Sequence, residues 1–208
     1  MNEIYISYSI RILILITAII ATIKWDKYKN SKERGFLYFL WITFAFECLA
    51  ALSKQVFDTN FWVYNIYSIF SFLFYLHWFY TLLKLAYIKY LTYLFLAVVV
   101  VNIVIQDFVN EHQIYTFIAG AITLLFCTFF YYSDLLKGNE IFIIKQKLSF
   151  WIATGILLFH IAMIPLIVLA DVLDFEGKYY LIVLAILNLI LYGCYIIGFL
   201  WTRKIFNR

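Results

Sequence analysis

The chain has 208 residues, of which 66% are hydrophobic and 13% are charged, and its formal net charge is +4. Soluble globular domains carry about 25% charged residues. This composition excludes an ordinary water-soluble domain, because a core of this size cannot hide so many apolar side chains. The excess must face lipid, so the chain is expected to be an integral membrane protein.

Seven long apolar segments occur in chain order. Each is long enough to cross about 30 Å of hydrocarbon as a helix, and none shows the strict alternation of barrel strands. The predicted fold is therefore all-α, a polytopic membrane protein with seven transmembrane helices and one domain over residues 1–208. The predicted spans are 4–23, 35–54, 61–84, 90–107, 113–134, 148–170 and 179–202. Trp25, Trp62 and Trp201 lie at span ends, where indole rings prefer the headgroup level.

Basic residues fall in every second gap between these segments. In chain order the basic gaps 24–34, 84–89, 137–147 and 203–208 hold 5, 2, 3 and 3 Lys or Arg residues. The other gaps hold Lys54 and Lys178 and six of the twelve acids. Because basic loops stay cytoplasmic, the pattern predicts an external N-terminus and a cytoplasmic C-terminus. Charge placed this way reads as a topology signal, so a nucleic-acid partner is not expected.

Four polar residues are predicted to lie within the outer half of the bilayer. Arg11 in the first span and Glu47 in the second fall at nearly equal depth, and Asn65 and Asn102 occupy the third and fourth spans. Charges at such depth are costly unless they pair or face water, which predicts an outward-facing polar pocket. The alternative is that Arg11 extends to the headgroups while Glu47 interacts with Lys54 along its own helix.

A second polar set, His77, His160 and Asn188, is predicted near the membrane midplane. Interhelical hydrogen bonds from His and Asn hold helices together, and His160 and Asn188 lie in consecutive spans. A proton relay or a metal site is the alternative. Two separated histidines without a carboxylate make a poor zinc site, so neither a metal nor a cofactor is expected. The three cysteines, Cys48, Cys127 and Cys194, lie in apolar segments and predict no disulfide.

The first basic gap predicts a cytoplasmic surface for a partner protein or for anionic lipid. Its residues are Lys24, Lys27, Lys29, Lys32 and Arg34. Each charge near an anionic leaflet contributes about 1 kcal/mol of attraction, so lipid contact alone could account for the pattern. Within the third basic gap, residues 138–147 contain the short apolar run Ile141–Ile144, which is too short to span and is expected to rest at the interface.

Proline and glycine are scarce, with one Pro and seven Gly in the chain. Pro165 is expected to kink the sixth span, because it removes a backbone donor and crowds the preceding turn. Gly193 and Gly198 in the seventh span are expected to admit a bulky neighbour. Transporters that build sites from interrupted helices need more such residues, placed at matching positions.

Three stretches carry a resemblance to a known group of proteins. FWIATGILLFHIAMIP at 150–165, LNLILYGCYIIGFLW at 187–201 and NIYSIFSFLF at 65–74 resemble small seven-helix membrane proteins of Bacteroidetes. That group is similar to the membrane sensor region found with histidine kinases. The resemblance implies a sensing or regulatory role and a location in a bacterial inner membrane. The chain also resembles, more weakly, the membrane accessory proteins of RNA-targeting CRISPR systems.

These observations favour a non-enzymatic membrane protein that acts through a cytoplasmic signalling or defence protein or through a small ligand. The alternative is an oligomeric channel, pore or transporter, for which the chain would form a homo-oligomer. Whether the protein is an enzyme stays open, although no Ser–His–acid set at one depth and no Gly-rich phosphate loop is found in the sequence.

Overall fold

A computed structural model describes residues 3–137, 141–173 and 177–203, and within them every regular element is a helix. Seven helices are long and apolar enough to span a membrane. The prediction of an all-α protein with seven such helices is confirmed. In chain order they are α1 Glu3–Ile23, α2 Gly35–Phe57, α3 Phe61–Leu83, α4 Tyr87–Ile105, α5 Ile114–Lys137, α6 Leu148–Leu173 and α7 Lys178–Trp201.

The helix ends lie within about a turn of the predicted span ends, and the differences have a local cause. A span predicted from hydropathy ends at the first charged residues. A helix in the structure ends where the backbone leaves helical geometry. The chain leaves α2 at Asp58 (φ 58°) and α3 at Lys84 (φ 56°), both in the left-handed region that commonly ends helices. Helix α5 continues to Lys137, beyond the predicted residue 134.

One hydrophobic core takes buried side chains from all seven helices. Six helices form a closed ring of contacts in the order α1, α2, α3, α5, α6 and α7, with α7 packed against α1. Helix α4 packs against α3 and α5. Aromatic rings fill much of the centre; the Phe39 and Phe74 rings stack with centroids 4.4 Å apart. The helices α6 and α7 make the most extensive contact in the bundle.

Contacts between loops define two ends of the bundle. The basic face comprises residues 24–34, 84–86, 141–147 and 202–203, and the opposite face comprises residues 58–60 and 106–113. At the basic face, Lys27 Nζ donates to the Leu200 carbonyl (2.8 Å), and Thr202 Oγ1 donates to the Gln146 carbonyl (2.9 Å). At the opposite face, the Phe61 and His112 rings meet edge to face at 4.4 Å. The basic gaps of the sequence therefore share one end of the bundle.

The structure can be compared with three local predictions, which concern the apolar run of the third basic gap, the proline of α6 and the glycines of α7. Ile141–Gln146 forms a 3₁₀ helix that packs against α5, α6 and α7, and residues 138–140 lie outside the described part of the chain. Helix α6 runs through Pro165 to Leu173, and the kink stays a prediction. Gly198 admits Trp151, as expected, but the expectation is wrong for Gly193, which has open space where a side chain would project.

Candidate functional site

The two intramembrane charges form an ion pair between α1 and α2. Arg11 Nε lies 3.7 Å from Glu47 Oε2, and the two side chains are 23% and 17% exposed. The Tyr8 ring lies under the guanidinium, 5.4 Å from its central carbon, in cation–π geometry. Matched depth along consecutive helices brings these groups together, and the low dielectric strengthens their attraction. Both side chains are half-buried between the two helices.

Tyrosine hydroxyls extend from this pair toward α7. We call the set the tyrosine chain; its members are Tyr64, Tyr67, Tyr75, Tyr192 and Tyr195. The Tyr64 hydroxyl lies near the Glu47 carboxylate, and the Tyr67 hydroxyl lies near the Tyr192 hydroxyl. The Tyr75 and Tyr195 hydroxyls share a hydrogen bond of 3.0 Å, and the Tyr192 and Tyr195 rings lie 5.9 Å apart.

The tyrosine chain was not found by sequence reasoning. Its signal is the spacing of tyrosines three apart, at 64 and 67 on α3 and at 192 and 195 on α7, which places each pair on one helix face. Thr43 on α2 joins the chain, because its Oγ1 lies 3.2 Å from the Tyr67 hydroxyl. The result is a row of polar groups that connects α2, α3 and α7 inside the bundle.

Asn65 and Asn102 have their hydrogen bonds elsewhere. Asn65 Nδ2 donates to the carbonyls of Phe108 and Glu111 at 2.8 Å each, so Asn65 holds the loop between α4 and α5. Asn102 Nδ2 donates to Thr116 Oγ1 at 2.9 Å and links α4 to α5. Of the four predicted pocket residues, the structure pairs Arg11 with Glu47 and gives the two asparagines roles at the opposite face. An outward-facing pocket that contains all four stays a prediction.

The three residues predicted near the midplane, His77, His160 and Asn188, do not hydrogen-bond to one another within the described part of the chain. His160 is buried, with its Nδ1 2.8 Å from the Ile156 carbonyl of its own helix, and it lies among aromatic rings that include Phe72 and Tyr75. Asn188 Nδ2 likewise donates to the carbonyl four residues earlier, Leu184, at 2.8 Å. The hydrogen bonds of both side chains within the described part of the chain therefore stay inside single helices. His77 is exposed on the outer surface of α3.

Two lysines of the first basic gap close helix ends. Lys27 Nζ donates to the Leu200 carbonyl at the end of α7, and Lys32 Nζ donates to the Leu82 carbonyl at the end of α3. Terminal carbonyls lack intrahelical donors and attract positive charge. Partial burial, and then the charge of Lys24, lower the pKa of Lys27. Lys29 pairs with Asp26 at 2.7 Å, and Arg34 is exposed.

A buried acid beneath the basic gap was also not found from the sequence. Glu33 is only 4% exposed. Burial raises the pKa of its carboxyl group, and the nearby charges of Lys32 and Lys147 oppose that rise. Its backbone N–H donates to Ser31 Oγ at 3.2 Å, which begins the short 3₁₀ turn Lys32–Arg34. Glu33 therefore offsets positive charge where the first and third basic gaps meet.

Seven apolar helices with outward-facing apolar side chains, such as Leu52, Val56 and Val104, are characteristic of multi-pass membrane proteins. The structure and composition place the chain in that class. No protein-family model matches the sequence, and no curated protein or solved structure matches it either. Function is therefore inferred from the arrangement of residues within this chain.

Proposed function

We propose that this protein is a non-enzymatic sensor or regulator of the bacterial inner membrane. Its N-terminus is external, its basic face is cytoplasmic, and the Arg11–Glu47 pair is the responsive site. The basic face contacts anionic lipid and a cytoplasmic signalling or defence protein. Ionisable residues inside a membrane are candidates for function by default because their burial is costly.

The observation that carries this proposal is the tyrosine chain, which gives the ion pair a physical route to α7. Helix α7 contributes Tyr192 and Tyr195 to the chain and ends where Lys27 binds the Leu200 carbonyl. A change at Glu47 that alters its tyrosine contacts can shift α7, and with it the loop 24–34. Coupling of this kind requires a connected element with two arrangements that both sites bias.

Distance measurements between spin labels test the coupling. Labels are attached at Asn30→Cys on the basic face and Leu136→Cys on α5, with the native cysteines replaced by alanine. We expect Glu47→Gln to move the mean distance by about 1–2 Å, the size of typical interface helix shifts. Adding Tyr195→Phe should reduce that shift, because it removes the hydroxyl bond between α3 and α7.

The matched control is Glu111→Gln, which neutralises an exposed acid of the opposite face. It should leave the distance unchanged. Equal distances in Glu47→Gln and the control would disprove coupling between the ion pair and the basic face. Ion flux through liposomes that contain a defined oligomer would instead favour the channel or transporter alternative.

The orientation has its own test in spheroplasts. We expect Asn30→Cys to react with a membrane-impermeant maleimide only after the cells are lysed, and Asn110→Cys to react in intact spheroplasts. Both positions are exposed, so reactivity reports sidedness and not burial. The reverse pattern would invert the topology, and labelling of both positions in intact spheroplasts would contradict a basic face in the cytoplasm.

A further inference from the structure

Three amide oxygens without a hydrogen-bond donor lie where α4 passes into α5. They are Asn102 Oδ1, Gln106 Oε1 and Gln113 Oε1, and no donor in the described part of the chain reaches any of them. Asn102 is 2% exposed and Gln113 is 4% exposed. A buried oxygen without a donor costs free energy comparable to a lost hydrogen bond, so a group of three needs an explanation.

Hydrogen bonds link the three residues that carry these oxygens. The Gln106 backbone N–H donates to the Asn102 carbonyl (2.8 Å), and Gln113 Nε2 donates to the Gln106 carbonyl (3.3 Å). Asn102 Nδ2 donates to Thr116 Oγ1, one turn beyond Gln113. The amide nitrogens of Asn102 and Gln113 already donate hydrogen bonds. Rotating either amide group so that its oxygen and nitrogen exchange places would break that hydrogen bond.

The ligand of these oxygens must supply positive charge or several donors. One water has two hydrogens, so a single water leaves one of three oxygens without a partner. A hard cation is coordinated by several oxygen atoms at once, because carbonyl oxygens can replace the water molecules of its hydration shell. The loop 106–113 also carries Asp107 and Glu111 but no Lys or Arg. The local charge therefore favours a cation over an anion.

We propose that Asn102, Gln106 and Gln113 bind a hard monovalent cation, Na⁺ or K⁺, at the α4–α5 turn. Neutral amide ligands suit a single charge, whereas Ca²⁺ sites usually recruit carboxylates. The Asp107 carboxylate is engaged in its own turn, where it accepts from Val109 and Asn110. Bound cation would stiffen the loop that Asn65 ties to α3. The inference does not depend on the proposed sensing role.

Thermal unfolding of the purified protein in detergent tests the site. NaCl, KCl and N-methylglucamine chloride are compared at equal ionic strength. We expect Na⁺ or K⁺ to raise Tm by about 2–4 °C over N-methylglucamine at roughly five times the dissociation constant, with saturation. Gln113→Leu should abolish the rise. Gln146→Leu should retain it, because it removes a buried, unpartnered amide oxygen at the basic face, far from the loop.

Asn102→Asp keeps the side-chain size and adds a negative charge among the oxygens. The cation concentration at half of the Tm rise should then fall by at least about tenfold. This variant decides the matter if Gln113→Leu does not fold. Equal Tm values in all three salts, a wild-type response of Gln113→Leu, or an unchanged midpoint in Asn102→Asp would each overturn the cation site and leave water as the donor.

Discussion

Glu47→Gln alone should lower the free energy of unfolding by about 3 kcal/mol, because it leaves the Arg11 guanidinium largely buried without its counter-charge. Adding Arg11→Met should recover more than half of that loss, since the double variant holds no uncompensated charge. The measurement is a double-mutant cycle followed by SDS titration of the detergent-solubilised protein. Additive losses would show that the 3.7 Å contact contributes no coupling.

The matched control is the ion pair of the first basic gap, Asp26 with Lys29. Its atoms are closer, 2.7 Å apart, but its side chains are 83% and 42% exposed. Exposed pairs contribute roughly 0–1 kcal/mol because water screens them. We expect Asp26→Asn with Lys29→Gln to show coupling below about 0.5 kcal/mol. A larger coupling here than between Arg11 and Glu47 would contradict burial as the source of the effect.

Gly198→Ala should destabilise the protein by about 1–3 kcal/mol, because the added methyl group overpacks the contact between α6 and α7. A Cβ at Gly198 would lie 2.8 Å from Trp151 Cβ and 2.9 Å from Leu148 Cδ1. Trp151 cannot easily retreat, since its Nε1 donates to the Lys145 carbonyl at 2.9 Å. Unfolding by SDS titration measures the loss.

Gly193→Ala on the same helix is the control, because no atom of the described part of the chain lies within 4 Å of the position that its Cβ would take. Alanine is the better helix former by about 1 kcal/mol, so this variant should be neutral or more stable. The two substitutions are chemically identical and five residues apart, so helix propensity cancels in the comparison. Equal effects at both positions would refute close packing at Gly198 as the cause.

Depth along each helix could be predicted because every span crosses the same thickness. Arg11 and Glu47 were placed at nearly equal depth from their positions in consecutive spans, and the structure brings them within 3.7 Å. Direction around a helix could not be predicted. Lipid and protein core are both apolar, so an apolar side chain does not reveal which of them it faces. Gly193 illustrates this, since no atom of the described residues lies within 4 Å of the position that its Cβ would take.

The sequence by itself determined the number of long helices and the gaps that share the basic face, because length and charge are one-dimensional properties. Only the tertiary structure decided which polar groups meet. His160 bonds within its own helix, Asn65 holds a loop, and Tyr75 meets Tyr195 across the core. The physical reason is that hydrogen bonds depend on rotation of each helix about its axis, and packing of large and small side chains sets that rotation.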